Sequence, residues 1–213
     1  MKTDALIDLL ARGAGPVDRY AVARRLAVAL TVGIGIDVLL FFALFGINPA
    51  LPSYVGLPLF WIKVGFVGLL GLAGVIATSR LARPGVAVGG AVWLGAIPLV
   101  GVWLLAAGML LAAEPDARLL LVLGDSWRQC PVRIALLSAP LFGAGVWALR
   151  GLAPTAQRHA GMALGFGSGA LGACIYALYC PELAPPFIGA WYVLGMLVPG
   201  LVGLAIGPRV LRW

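Results

Sequence analysis

Six stretches of about 20 residues each, nearly free of charge, follow one another along this chain at 26–45, 57–78, 88–112, 134–149, 161–179 and 187–206. At 1.5 Å per residue a helix of that length crosses about 30 Å of hydrocarbon. A chain of 213 residues cannot hide six such stretches in one water-soluble core. Hydrophobic residues make up 62% of it and charged residues 11%, against about 25% charged in a soluble domain. The expected fold class is all-α: a polytopic membrane protein built as a bundle of six transmembrane helices. Residues 1–23 form a cytoplasmic N-terminal amphipathic segment, 24–208 the six-helix transmembrane domain and 209–213 a cytoplasmic C-terminal tail. No cleavable leader is expected, because the first 23 residues carry Asp4, Asp8 and Asp18 beside Lys2, Arg12 and Arg19.

The net charge of +7 would suggest nucleic acid in a soluble protein. Here the positive charge flanks the apolar runs and reads as a topology signal. Lys2, Arg12, Arg19, Arg24, Arg25, Arg80, Arg83, Arg150, Arg158, Arg209 and Arg212 fall on one side, and Arg118, Arg128 and Arg133 on the other. The positive-inside rule then puts both termini in the cytoplasm and makes the inner membrane the expected location. The opposite loops are 46–56, 113–133 and 180–186. In the middle one, 116–130 reads as an interfacial helix with Asp116 as its cap and Leu119, Leu120 and Leu123 facing lipid.

Near the N-terminus, Leu6, Ile7, Leu9 and Leu10 give an apolar stripe at helical spacing, with Thr3 as cap and Asp4 in the first turn. Such a stripe can dock on a partner helix or lie on a membrane surface. Gly161, Gly165, Gly169 and Ala173 recur at four-residue intervals and read as a close helix–helix contact. Gly167, Gly169 and Gly172 spell GxGxxG, but inside an apolar helix with no preceding strand, which is not the setting of a nucleotide-binding loop.

Two ionisable residues, Asp37 and Lys63, lie inside spans. They read either as a structural pair, with snorkelling open to Lys63, or as a proton or ion path. The cysteines carry more. Cys130-Pro131 and Cys180-Pro181-Glu182 sit at span boundaries in different loops of the same, oxidising side. Arg128 and Arg133 flank Cys130 and favour its thiolate, while Glu182 disfavours that of Cys180. This asymmetry suits attack by one sulfur and resolution by the other. Thiolates also take soft metal ions, so Cys130 and Cys180 are the candidate ligands for a transiently bound metal. The pair reads equally well as a sensor or as a static disulfide. Cys174 reads as a small buried hydrophobe. An enzyme is not expected; a small transporter or exporter is the alternative to a regulator, and a membrane thiol oxidoreductase is a third reading, weakened by the absence of any CxxC.

An ordered set of short motifs runs through the chain: Met1-Lys-Thr-Asp-Ala-Leu-Ile-Asp-Leu-Leu10, Pro16-Val-Asp-Arg19, Pro58-Leu-Phe-Trp-Ile-Lys63, Leu81-Ala-Arg-Pro84, Cys130-Pro131, Tyr179-Cys-Pro-Glu182 and Pro186-Phe followed by Trp191-Tyr-Val-Leu-Gly-Met196. Over its whole length the chain thereby resembles the NrsF family of six-span bacterial membrane proteins, anti-sigma factors for extracytoplasmic-function sigma factors. The resemblance implies that the partner is such a sigma factor, bound through Asp4, Leu6, Ile7, Leu9 and Leu10. It implies no direct contact with nucleic acid. It also implies that Cys130 and Cys180 sense heavy-metal or oxidative stress. A cytoplasmic His-x3-Cys-x2-Cys zinc pattern is absent from the sequence, so binding of the sigma factor would not use that device.

Overall fold

The computed structural model describes Thr3, Ile7 and residues 20–212. Asp4, Leu6, Leu9 and Leu10 of the N-terminal stripe lie outside the described residues. Ile7 is helical and 57% exposed.

The described chain is all-helical. In order it forms α1 (Ala21–Leu44), α2 (Leu51–Val55), α3 (Pro58–Leu81), α4 (Ala91–Ala112), α5 (Pro115–Leu123), α6 (Cys130–Arg150), α7 (Gln157–Tyr176) and α8 (Pro185–Val210). Prolines start several of them, with Pro58, Pro115 and Pro131 in the first turn, where the missing N–H costs nothing. α8 holds a π-helical turn, Ile188–Tyr192, before it continues as α-helix from Val193.

Five of these helices, α1, α3, α4, α6 and α8, are long and apolar enough to cross a membrane. The expected fifth span, 161–179, corresponds to α7. That helix is 20 residues long, but its composition does not by itself mark it as a span. The reason is its position. α7 packs chiefly on α8, then on α3 and α6, and most of its residues from Ala160 to Tyr176 are buried. A helix enclosed by helices needs small residues rather than greasy ones. α4 is the reverse: it packs mainly on α3, and Trp93, Ile97, Trp103, Leu104 and Leu111 point outward, Leu111 with 80% of its surface exposed. Apolar surface on that scale is stable against lipid and not against water.

The α7–α8 contact is where glycine is required. A Cβ on Gly165 would overlap the Pro199 carbonyl of α8, and one on Gly161 the Gly203 carbonyl. A Cβ on Gly169 would stand 2.8 Å from the Met196 Cα. The four-residue glycine stripe expected to pack helices does so, and it packs them backbone to backbone. The GxGxxG letters fall within this stripe: Gly167 abuts Gly74 of α3 and Gly172 faces α6, so the motif is packing.

Successive long helices alternate in direction. One end of the bundle gathers the arginines: Arg150 Nε donates to the Val210 carbonyl at 2.7 Å, and the Arg25 guanidinium lies over the Trp147 ring at 5.7 Å. The other end gathers the thiols. There α5 is shorter than expected. It runs Pro115–Leu123 rather than to residue 130, and its cap position is Glu114, with Asp116 in the first turn. Gly124, at φ +53°, ends it, because that left-handed backbone stops a helix and suits glycine.

Candidate functional site

At the thiol end three segments far apart in sequence converge. Cys130 is the first residue of α6, and its N–H donates to the Ser126 carbonyl at 2.9 Å. Cys180 lies between α7 and α8, where the Cys180 N–H still reaches back to the Tyr176 carbonyl at 3.0 Å. Pro181, Pro185 and Pro186 prevent the chain from continuing as one helix. Lys63 projects from the second turn of α3. Both cysteines are free thiols, 0% and 1% exposed, and their sulfurs lie within hydrogen-bond reach of each other. The structure brings Cys130 and Cys180 together. Their full burial was not expected, and Pro181, exposed beside them, is the residue nearest solvent.

The charge around the sulfurs differs from expectation. Arg128 lies over the Trp127 ring at 5.0 Å, and Arg133 over Phe45 and Tyr179 at 5.3 Å each. Neither supplies the cation. Lys63 does. Its Nζ donates to the Cys180 carbonyl at 2.8 Å and to the Glu182 carbonyl at 3.1 Å. The thiol favoured as thiolate is correspondingly Cys180, not Cys130. The Cys130 thiol donating to its sulfur lowers the Cys180 pKa to about 6, against burial, with help from the Tyr192 hydroxyl, the Lys63 ammonium and the Glu182 N–H. Glu182 does not oppose this as expected, because its carboxylate turns away. Oε1 accepts the Asp125 N–H at 2.9 Å and sits over Gly124, where a Cβ would come within 2.6 Å of it. Glu182 therefore ties the long 113–129 connection to the Cys180 segment.

The expected Asp37–Lys63 pair does not form, and Lys63 does not snorkel: it is 0% exposed. Unpaired carbonyls of a non-helical segment draw the ammonium inward, since buried main-chain acceptors need donors. Asp37 is fully buried on α1, its carboxylate against the Leu141 main chain of α6.

Two tyrosines were not anticipated. Tyr176 and Tyr192 are both fully buried against the thiols, ring centroids 6.0 Å apart. Tyr176 stands four residues before Cys180, which is one helical turn, so its proximity was legible in spacing. Tyr192 was not legible, because the π-turn that aims it is a tertiary feature. The same turn carries Trp191, whose Nε1 donates to the Val122 carbonyl at 2.8 Å and whose ring lies 5.0 Å from that of Trp127. Among the described residues no three His, Cys, Asp or Glu side chains gather to hold a metal ion.

The family described as NrsF, Negative regulator of sigma F, matches residues 10–213. The chain belongs to the NrsF family. A protein of Azospira oryzae named "Probable anti-sigma-F factor NrsF" is 45% identical over 216 residues, spanning 100% of both chains. The "Anti-sigma-F factor NrsF" of Caulobacter vibrioides is 41% identical over 218 residues, again spanning 100% of both. No solved structure matches the chain. The family is regulatory and not enzymatic.

Proposed function

We propose that the chain is a membrane-embedded anti-sigma factor. It holds an extracytoplasmic-function sigma factor at the inner membrane and releases it when Cys130 and Cys180 respond to oxidative or heavy-metal stress. The partner is inferred from the names of the two full-length relatives. The observation that carries the trigger is the meeting of two free, buried thiols at the end of the bundle opposite the arginines. With the arginine end in the cytoplasm, as the charge bias requires, the thiols face the oxidising side. All six long helices then act as spans, α7 being the inner one. The chemistry is a two-sulfur event. Both thiols lose a proton and together two electrons to a disulfide or other oxidant and join as one S–S bond, or both bind one thiophilic ion as thiolates with loss of their protons. Burial requires residues 180–184 to open before a reagent enters. A transporter reading gains nothing, because Asp37 and Lys63 do not meet.

The direct test is purification of the tagged protein from membranes, with mass spectrometry of what accompanies it. A sigma factor should co-purify, and deleting the gene should switch on its regulon. Co-purification of no sigma factor, with an unchanged transcriptome on deletion, would end the reading.

Orientation is tested by reporter fusions. A reporter after Trp213 should act as cytoplasmic, and one inserted between Glu114 and Asp125 as periplasmic. Periplasmic activity at the C-terminus would reverse the assignment.

The N-terminal stripe is the proposed docking surface for the sigma factor, through Asp4, Leu6, Ile7, Leu9 and Leu10. Ile7 is exposed and available. Each leucine buried against a partner contributes about 1.5–3 kcal/mol. Changing Leu6 and Leu10 together to Asp should therefore leave the regulon constitutively on, at unchanged membrane levels. Continued repression at those levels would place the docking surface elsewhere.

A further inference from the structure

Among the described residues, Lys63 is the charged group that reaches the buried sulfurs from another helix. It is 0% exposed, and two of its three N–H donors go to main-chain carbonyls on either side of Pro181. Among the described residues no carboxylate hydrogen-bonds to it: Glu182 offers its carbonyl, while its carboxylate serves the Asp125 N–H. The Phe60 ring, 5.6 Å from Nζ, covers it on its own helix. The positive charge therefore acts on the two sulfurs, and the hydrogen bonds fix where Cys180 stands. A buried ammonium is tolerated only when hydrogen-bonded and compensated. Carbonyl dipoles give part of that compensation, and the neighbouring sulfurs, Cys180 foremost, give more, with the Glu182 charge acting behind them.

We propose that Lys63 is the positioning residue of the thiol pair: it anchors residues 180–182 to α3 so that Cys180 faces Cys130, and joining the two sulfurs releases that anchor. The inference rests on the thiol pair being the sensor, and it adds the element through which the pair is held and let go. A disulfide carries no charge and draws Cys180 towards Cys130. Both changes leave the ammonium without its compensating partner and push it to give up the Cys180 and Glu182 carbonyls. The freed segment runs directly into the π-turn of α8, whose far end lies at the arginine side.

The test uses the full chain in native membranes with Cys174→Ser, so that only two thiols remain. Diamide, an azo oxidant, takes two electrons and two protons from Cys130 and Cys180 and becomes the hydrazine as the S–S bond forms. The rate is read by mobility shift. Lys63→Met keeps chain length and bulk but removes charge and donors; it should slow bond formation about tenfold or more, as misplacement of a reacting group does. Lys63→Arg keeps charge and donors and should retain most of the rate. A wild-type rate in Lys63→Met, or equal slowing in both variants, overturns the proposal. Amine acylation of the unmutated chain gives a second reading that needs no variant, with the peptide of Lys2, the other lysine, for normalisation. Lys63 should resist acylation at rest and take it after diamide; equal labelling before and after overturns the release step. Transcription is read separately. Normal stress induction in the Cys130→Ser, Cys180→Ser double variant would remove the thiols from signalling, while the rate measurement would still decide whether Lys63 positions them.

Discussion

Cys130→Ser and Cys180→Ser, made singly, should each abolish induction of the sigma-dependent regulon, and the double variant should lose nothing more. The two sulfurs face each other as free thiols, and an event that needs both fails when either is missing. Non-additivity of this kind marks groups that act as a unit. Cys174→Ser should leave induction intact, since Cys174 sits six residues before Cys180, half-buried on α7, and is not one of the two thiols that face each other. A static disulfide predicts another pattern: each single variant would lower membrane levels and release the sigma factor without stress. The substitution itself leaves a buried hydroxyl, worth about 1–3 kcal/mol if unpaired, so an immunoblot of membranes accompanies the transcription assay and Cys→Ala variants serve as controls. Normal induction in the double variant would take the thiols out of the mechanism.

Gly165→Leu should collapse the protein's steady-state level, whereas Gly108→Leu should be tolerated. At Gly165 the first added carbon overlaps the Pro199 carbonyl, and backbone cannot step aside as a flexible side chain can. Overpacking costs typically about 1–3 kcal/mol, and a backbone clash at the most extensive helix contact in the bundle belongs at or beyond the upper end. At Gly108, on the outward face of α4, nothing lies within 4 Å of the added carbon. There the change removes a glycine from a helix interior, a gain of about 0.5–1 kcal/mol. Thermal unfolding of the purified proteins in detergent, beside their membrane levels, measures both. Equal stability of the two variants would mean that α7 and α8 do not pack as described. If the chain is the anti-sigma factor proposed above, loss of Gly165→Leu protein should also switch the regulon on.

Only part of the site is legible in the sequence. Cys130, Cys180 and Glu182 stand out together by residue type and position relative to apolar stretches, which depend on neighbours along the chain; Lys63 stands out only as an ionisable residue inside a span, not as a neighbour of the thiols. Their relations were misread wherever the decisive neighbour came from another helix. Arg128 and Arg133 are adjacent to Cys130 in sequence, yet their guanidiniums stack on aromatic rings, because an arginine near an interface covers apolar surface while keeping its charge out of the core. Lys63 stands 117 residues from Cys180, and no spacing rule links them. Asp37 was matched to Lys63 on depth alone; rotation of α1 about its axis decides which neighbour a side chain meets, and it faces Leu141 instead.

By itself the sequence determined that the chain is helical, where its long helices run and which loops share a side. Apolar length, proline and glycine punctuation and the arginine bias are local quantities, and lipid enforces them, since a span must satisfy its own main chain. Tertiary structure alone decided that α7 is the enclosed helix, that a π-turn aims Tyr192 at Cys180, and that a lysine rather than an arginine holds the thiols. Those outcomes depend on helix rotation and on which unpaired carbonyl finds a donor, and both are settled only when the helices pack.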